Sequence, residues 1–225
     1  MQIQKFLIAG GNSTALVLEC PSGRRKTLVA DLLQEVEQVG FIMVDDSRSP
    51  RMEMMGGEFC INASLAFAST LGPQGWIKVS GLEQPVAYKN HGGTTVITVP
   101  ISWSRQDNII LLQGIGFILL PSAQRPNMGK AFLADLCSRF SMPAFGAVLY
   151  AENRITPYVH VAAVDSFVPE TACGSGSVAY SIFSGVNRVV QPSGGVIAVS
   201  QPGNQKGASN HSHFIIEAEV TSLTE

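Results

Sequence analysis

Two cysteines and the segments that follow them carry the strongest chemical signal in this sequence. Cys60 opens one segment of small residues and Cys173 opens another, 113 positions further along a chain of 225 residues. When the two thiols are aligned, the following positions match in type: Ser64 with Ser177, Leu65 with Val178, Ala66 with Ala179, and Phe67 with Tyr180. An internal match at half the chain length predicts two pseudo-symmetric halves that each bring one thiol to a shared site.

We expect each cysteine to lie at the first turn of a helix, beside unpaired backbone N–H groups and the positive end of the helix dipole. Such surroundings favour the thiolate, so we expect the pKa of Cys60 and of Cys173 to lie below the ordinary value of about 8.5. The same N–H groups, among them those of Gly174 and Ser175, form a site for a carboxylate. The pattern therefore predicts a carboxylate held between two thiols.

Such an arrangement would allow proton transfer at both faces of an α-carbon. One thiolate would remove the α-proton and the other thiol would deliver a proton to the opposite face, which inverts the configuration. The alternative is that both cysteines are small buried hydrophobes of a duplicated structural helix. We predict no metal site, because no CxxC spacing occurs and His211 and His213 have no cysteine nearby. Cys137 and Cys20 are predicted to be core residues.

Composition limits the class of protein and its partners. Hydrophobic residues make up 45% of the chain and charged residues 14%, which predicts a globular protein with ample core. This sparse charge is compatible with a homodimer. The formal net charge is −2 with no block of either sign, so we expect no nucleic-acid partner. The sequence shows no signal peptide and no run long enough to span a membrane, and we predict a cytoplasmic protein with reduced thiols and no membrane partner.

The first half reads as strands around two helices. A helix is predicted over residues 26–39, where apolar residues recur with helical period, and a second helix from Cys60 to Thr70. Strands are predicted over residues 3–8, 15–19, 41–44, 51–55, 76–80, 86–90 and 94–100. The polar stretch 102–108 is the predicted boundary between a domain of residues 1–104 and a domain of residues 105–225.

The second half repeats this order. Helices are predicted over residues 127–140 and after Cys173, and residues 201–213 form a predicted polar loop. Strands are predicted over residues 109–112, 116–120, 145–151, 157–164, 194–200 and 214–221. Many strands with few, central helices predict an α+β fold.

These residues resemble the diaminopimelate epimerase superfamily of cofactor-independent racemases and epimerases with two catalytic cysteines. The likeness covers nearly the whole chain and is carried by CysIleAsnAla at 60–63, AlaCysGlySerGly at 172–176 and the Gly-Asn pair at 11–12. The resemblance implies two similar domains, each a mostly antiparallel, barrel-like sheet around a central helix, that close on the substrate. It also implies that Cys60 and Cys173 are the acid–base pair and that no cofactor takes part.

Within this superfamily the chain is most similar to the staphylopine-type histidine racemases, through residues 37–42, 56–63 and 170–176. By this resemblance, Glu37 and Glu170 would contact the amine or the imidazole of an amino-acid substrate. The implied substrate contacts are Asn12, Glu37, Ile61, Asn62, Glu170, Gly174 and Ser175. As alternatives, Glu37 is a solvated helix terminus and Glu170 only complements a helix N-terminus.

Departures from the family patterns leave the substrate open. Residues 164–170 lack the arginine typical of diaminopimelate epimerases, which argues against diaminopimelate. Gly57 and Ile61 stand where the histidine racemases have Asn and Gly, and Gly116 stands where a histidine is usual. The alternatives are therefore an amino-acid racemase with histidine as the best candidate, a diaminopimelate epimerase, and a non-catalytic relative that binds an amino acid or another carboxylate.

Overall fold

The computed structural model of the chain describes residues 1–43, 50–124, 129–201 and 211–223. These ranges contain fifteen strands and four α-helices. In chain order they are β1 (Gln2–Ile8), β2 (Gly11–Leu18), α1 (Ser22–Leu32), β3 (Gln38–Met43), β4 (Arg51–Met54), α2 (Ile61–Ser69), β5 (Gln74–Val79), β6 (Val86–His91), β7 (Thr94–Gln106), β8 (Ile109–Leu112), β9 (Ile115–Pro121), α3 (Lys130–Phe140), β10 (Ala144–Ala151), β11 (Arg154–Val161), β12 (Ser166–Pro169), α4 (Gly174–Ser184), β13 (Arg188–Val190), β14 (Val196–Ser200) and β15 (His211–Ser222).

The described strands form two closed circuits of hydrogen-bonded neighbours that share β7 and β15. The first circuit runs β1–β2–β3–β4–β5–β6–β7–β15 and returns to β1. The second runs β7–β8–β9–β10–β11–β13–β14–β15 and returns to β7, while β12 pairs with β11 outside it. Closing a sheet on itself removes its exposed edges. The fold is therefore mostly a ring-like β-sheet with few helices.

The two halves of the chain follow the same order of elements. Each has a hairpin, a helix, an antiparallel pair, a second helix, a single strand and a final hairpin, and the second half adds β12 before its second helix. The strands on either side of the first helix pair in parallel in both halves, β2 with β3 and β9 with β10. The duplication predicted from the cysteine segments thus extends to the topology. The division into two domains at residue 104, which lies within β7, stays a prediction.

The second helix of each half lies within its circuit of strands. Helix α2 contacts β1, β2, β3, β4, β6, β7 and β15, and α4 contacts β8, β9, β10, β13 and β14. Every residue of α2 from Ile61 to Ala68 is buried, including Asn62 and Ser64. Neither helix carries a charged residue, as expected of a helix that is enclosed on all sides. The enclosure fixes where the first turn of each helix lies, and the cysteines precede those turns.

The first helix of each half packs on the outside of the sheet. Helix α1 covers β2 and β3 through an apolar cluster that includes Leu32, Val36 and Val39. Helix α3 covers β9 and β10 through a separate cluster around Leu133 and Phe145. These helices stiffen the strands but place no side chain beside the two thiols. In the described ranges no helix is long and apolar enough to cross a membrane.

The helix predicted over residues 26–39 was wrong in its extent. Helix α1 starts at Ser22 and ends at Leu32, and Val39 already belongs to β3. Val36 and Val39 are buried beside Leu32 although they lie outside the helix. The apolar spacing continues past the helix because the helix and the following strand bury their apolar residues in the same cluster. A helical period of apolar residues therefore does not require one continuous helix.

The polar stretch 102–108 is not a linker in the structure. Strand β7 continues to Gln106, turns at Asp107 with a φ of 52°, and pairs with β8. Main-chain hydrogen bonds hold this strand end whatever its side chains, so polar residues occur here within a strand, and the domain boundary at this stretch stays a prediction. The predicted loop 201–213 is shortened because β15 begins at His211, and its residues 202–210 lie outside the described residues.

Smaller differences concern element ends. Helix α3 begins at Lys130, and residues 127 and 128 of the predicted helix lie outside the described residues. The strand predicted over 157–164 runs from Arg154 to Val161 and is followed by a short 3₁₀ turn. The strand predicted over 41–44 starts earlier, at Gln38, and its residue 44 is not described.

Candidate active site

Both candidate catalytic cysteines occupy the N-cap position of a central helix. Cys60 precedes α2 and its Sγ accepts a hydrogen bond from the Ala63 N–H at 3.5 Å. Cys173 precedes α4 and its Sγ accepts from the Gly176 N–H at 3.2 Å. Each sulfur therefore takes the place that a Ser or Asp oxygen usually holds at a helix start. The sequence prediction of helices directly after these cysteines agrees with the structure.

The serines that align in the two cysteine segments make the same contact. The Ser64 hydroxyl donates to the Cys60 carbonyl at 2.7 Å, and the Ser177 hydroxyl donates to the Cys173 carbonyl at 2.7 Å. The register found by aligning the thiols is thus also a register of hydrogen bonds. Local sequence likeness here reflects the same local structure.

The starts of the two central helices touch each other. The Asn62 side chain donates through Nδ2 to the Ala172 carbonyl at 3.1 Å and accepts through Oδ1 from the Gly174 N–H at 3.0 Å. Ile61 packs on Gly174 so closely that a Cβ at this position would lie 2.4 Å from Ile61 Cγ2. These contacts bring residues of the two cysteine segments, 112 positions apart, to one junction.

A chain of side-chain hydrogen bonds leads from Cys60 to the second half. The Cys60 thiol donates to Gln38 Oε1 at 3.0 Å, and Gln38 Nε2 donates to Asn12 Oδ1 at 2.6 Å. Asn12 Nδ2 donates to Glu37 Oε2 at 2.7 Å, and the Thr171 hydroxyl donates to Glu37 Oε1 at 2.7 Å. The predicted contacts Asn12 and Glu37 thus lie in one network with a thiol.

Cys173 has different neighbours. Its backbone N–H donates to Gln191 Oε1 at 2.9 Å, and Gln191 Nε2 donates to the Ser177 hydroxyl at 2.9 Å. After burial, the neighbouring Glu170 carboxyl group is the main influence on its thiol, whose pKa it raises. Among the described residues Glu170 Oε2 is buried without a hydrogen-bond partner. A buried acceptor of this kind is suited to a donor group of a ligand.

The electrostatics of the thiols differ from the sequence expectation, which was wrong in direction. Burial raises the pKa of Cys60 to about 12, and the N–H of Ala63 offsets only part of that effect. Burial and then the nearby Glu170 carboxylate raise the pKa of Cys173 well above its usual value. The helix dipole is outweighed because removing a thiolate from water costs more than one or two N–H groups return. Burial thus favours the neutral form of both thiols.

Burial also shifts the two carboxyl groups. It raises the pKa of Glu170 to about 7, against a lowering by the hydrogen bond with Cys173. It raises the pKa of Glu37 as well, although the hydrogen bonds from Thr171 and Asn12 act in the opposite direction. A carboxyl group that titrates near neutral pH can both accept and return a proton.

Part of the predicted carboxylate site is already occupied by protein groups. The N–H of Gly174 is bonded to Asn62 and the N–H of Gly176 to the Cys173 sulfur. In the part of the chain that the structure describes, the N–H groups of Ile61 and Ser175 have no such partner. Helix N-termini leave such donors for a ligand. Each of the two helices therefore contributes one of these N–H groups, Ile61 from α2 and Ser175 from α4.

Sequence reasoning missed Gln38, Thr171 and Gln191. Gln38 and Thr171 directly follow the predicted contacts Glu37 and Glu170, so the signal was their position beside them. Gln191 gave no signal, because it reaches the Cys173 segment only through the path of β13. Each of the three forms its bonds to residues distant in sequence.

Other features lie apart from the thiols. Within the described ranges no group of three or more His, Cys, Asp or Glu side chains could hold a metal ion. A surface cleft of about 570 Å³ contains none of the residues of the thiol site. It is lined by Leu82, Glu83, Gln84, Pro100, Ser102, Trp103, Ser104, Leu111, Leu112 and Gln113. Of the two remaining cysteines, Cys137 is buried as predicted, whereas Cys20 is partly exposed.

Curated proteins of known name are similar to this chain in sequence. No family model matches the sequence. A histidine racemase from Staphylococcus aureus is 24% identical, over 95% of this chain and 92% of that protein. A histidine racemase from Fusobacterium nucleatum is 28% identical, over 70% of this chain and 71% of that protein. At this level of identity the relatives indicate common ancestry without fixing the substrate of this chain.

Two solved structures superimpose along the whole chain. A PhzF-family phenazine biosynthesis protein from Bacillus anthracis has a TM-score of 0.69 at 11% identity, covering 100% of this chain and 98% of the other. A hydroxyproline epimerase from Agrobacterium vitis, with trans-4-hydroxy-L-proline bound, has a TM-score of 0.65 at 12% identity, covering 100% and 91%. The fold is that of racemase and epimerase-type isomerases. The narrower likeness to the diaminopimelate epimerase superfamily stays a prediction.

Proposed function

We propose that this protein is a cofactor-independent amino-acid racemase or epimerase that inverts Cα with Cys60 and Cys173. The observation that carries the proposal is that the two thiols cap adjoining helix N-termini, tied together by Asn62 and Gly174. This arrangement offers one proton-transfer group from each half of the chain. The histidine racemases among the relatives and the hydroxyproline epimerase with the same fold support it.

The substrate carboxylate would bind at the two helix starts. The unpaired N–H groups of Ile61 and Ser175 would donate to its oxygens, and the positive ends of α2 and α4 would favour its charge. As the α-proton leaves, negative charge moves from Cα onto this carboxylate. Fixed donors aimed at that charge stabilise the transition state more than the ground state.

Proton transfer requires that a neutral thiol first lose its proton. Glu170 is a neighbour of the Cys173 thiol and burial raises its pKa to about 7, so its carboxylate is placed to take that proton. The resulting thiolate would remove the α-proton on one face, and the Cys60 thiol would deliver a proton on the other. Inversion follows because the two transfers take place on opposite faces of a planar carbanion.

Histidine is our candidate substrate. The named activity of the relatives supports it, and so do the carboxyl groups of Glu37 and Glu170, which would accept hydrogen bonds from the α-amine or the imidazole. The buried, unpartnered Glu170 Oε2 is the group most in need of such a donor. Ile61 and Gly57 would distinguish this pocket from those of the histidine racemases.

The test is exchange of the α-proton with heavy water. We expect L-histidine to take up deuterium at Cα and to lose optical rotation, and Cys60→Ser and Cys173→Ser each to abolish net racemisation. Cys20→Ser is the matched control, because Cys20 lies outside the thiol network, and it should racemise like the parent. The panel includes the diaminopimelate isomers, proline and hydroxyproline. An absence of exchange with all of these amino acids would refute the proposal.

A second candidate is a binding protein that keeps the fold without turnover. The raised pKa of both thiols favours it, since burial disfavours the thiolate that a racemase needs as its base. Calorimetric titration separates the two functions. Tight binding of an amino acid with no deuterium uptake supports the binding protein, whereas binding with uptake supports the racemase.

A further inference from the structure

The hydrogen bond between Cys60 and Gln38 has a fixed direction. Gln38 Nε2 donates to two oxygens, Asn12 Oδ1 at 2.6 Å and Thr14 Oγ1 at 2.7 Å. An amide nitrogen only donates and an amide oxygen only accepts. The Gln38 oxygen therefore faces the sulfur, 3.0 Å away, and the thiol must be the donor.

The orientation of Gln38 is in turn set by a carboxylate. Both oxygens of Glu37 accept hydrogen bonds, Oε2 from Asn12 Nδ2 and Oε1 from the Thr171 hydroxyl, as an ionised group does. Asn12 therefore turns its Oδ1 away from Glu37 and toward Gln38. Since Asn12 is 1% exposed and Gln38 is 9% exposed, water cannot easily replace these partners. Glu37 therefore determines, through Asn12 and Gln38, which atom donates in the hydrogen bond at Cys60.

We propose that Gln38, oriented by Asn12 and Glu37, is a positioning residue that holds Cys60 as the protonated thiol, so that Cys60 is the proton donor and Cys173 the proton acceptor in the resting enzyme. A thiolate at Cys60 would face the Gln38 carbonyl oxygen, and neither atom could donate a hydrogen bond to the other. Turning the amide around would break both bonds from Nε2 and would oppose Asn12. The inference rests on the proposed function and assigns to Gln38 the role of making Cys60 the proton donor.

Cys173 differs because its partner is a base. An amide oxygen does not take up a proton near neutral pH, whereas the Glu170 carboxylate does. The Cys173 proton would pass to Glu170, and the thiolate would take the α-proton while the C–H electron pair remains on Cα. Cys60 would then give its proton to the opposite face. The product state holds a Cys60 thiolate and protonated Glu170, and exchange of one proton through solvent restores the resting state.

Infrared spectroscopy tests the state of Cys60 directly, without substrate. A thiol that donates a hydrogen bond absorbs at a lower S–H stretching frequency than a free thiol. The difference spectrum of the parent and Cys60→Ser at pH 8 should show this lowered band, and Gln38→Met should shift it upward. Gln191→Met is the matched control, a buried glutamine beside the other thiol, and should leave the band unchanged. A missing Cys60 S–H band, or one unaffected by Gln38→Met, overturns the inference.

Deuterium uptake without inversion tests the order of the thiols. Cys60→Ser retains Cys173 with its base Glu170, whereas Cys173→Ser retains a thiol whose hydrogen-bond partner is the Gln38 amide. With the faster enantiomer, we expect uptake to be about tenfold or more faster in Cys60→Ser. Adding Gln38→Glu to Cys173→Ser supplies a carboxylate and should restore uptake.

Two other outcomes separate the inference from the function it rests on. Equal uptake in Cys60→Ser and Cys173→Ser overturns the assigned order while leaving the racemase intact. No uptake in the parent refutes the racemase itself. The other ionisable groups that face Cys60 are Glu58 on its own loop, and Glu170 and Cys173 on the facing segment. They are the same in the parent and in Gln38→Met, so they do not account for a shifted S–H band.

Discussion

Replacing Asn62 by Ala should destabilise the protein more than removal of an ordinary polar side chain. Asn62 is 4% exposed and makes the bonds to the Ala172 carbonyl and the Gly174 N–H, both of which are buried. The substitution leaves these two backbone groups without partners. Each stranded group costs about 1–3 kcal/mol, so we expect the free energy of unfolding to fall by about 2–6 kcal/mol.

Urea unfolding followed by circular dichroism measures this loss. Asn108→Ala is the matched control, because Asn108 is half-buried and its Nδ2 makes one bond, to the Leu119 carbonyl at 3.1 Å. We expect a loss of about 1 kcal/mol for the control. The measurement needs no substrate and so does not depend on the proposed activity. If Asn62→Ala loses no more stability than Asn108→Ala, the bridge between the helix starts does not hold the halves together.

Two further predictions concern the same junction. Gly174→Ala places a Cβ 2.4 Å from Ile61 Cγ2 and should lower the free energy of unfolding in urea by about 1–3 kcal/mol. The double variant with Ile61→Ala should lose clearly less stability than the sum of the two single losses. Additive losses would contradict the contact between these two residues. The folded-state pKa of Glu170 is about 7, above its ordinary 4.5, so this group contributes stability that is complete below pH 4.5 and lost as the pH rises to 7. The free energy of unfolding of the parent minus that of Glu170→Gln should therefore fall between pH 4.5 and pH 7 and stay level above pH 7. A difference that rises with pH would show that folding lowers the pKa of Glu170.

Much of the fold follows from local patterns. Residues 94–100, rich in Thr, Val and Ile, predicted the first part of β7, and the small apolar residues after each cysteine predicted the central helices. The errors arose where one local signal served two elements. Leu32, Val36 and Val39 share a buried cluster across the end of α1 and the start of β3. Polar residues around Ser104 belong to a strand because main-chain pairing holds it.

The sequence predicted several residues that lie near the thiols, but it predicted the wrong direction for the pKa of both thiols. Asn12, Glu37 and Glu170 do lie in the hydrogen-bond networks of the thiols. Their roles toward a substrate stay predictions. Gln38 could not be recognised as the partner of Cys60, because its contact depends on how β3 passes the start of α2.

The sequence by itself determined the two thiols, their helix-capping position and the duplication of their surroundings, because each depends on residues within one turn of Cys60 or Cys173. Only the tertiary structure decided that burial favours the protonated form of both thiols and that their neighbours differ, an amide for one and a carboxyl group for the other. Burial and hydrogen bonding are long-range properties, since Cys60 meets a residue 22 positions away and Asn62 one 112 positions away. The symmetry of the chain is therefore local, whereas the asymmetry of its chemistry arises from tertiary contacts.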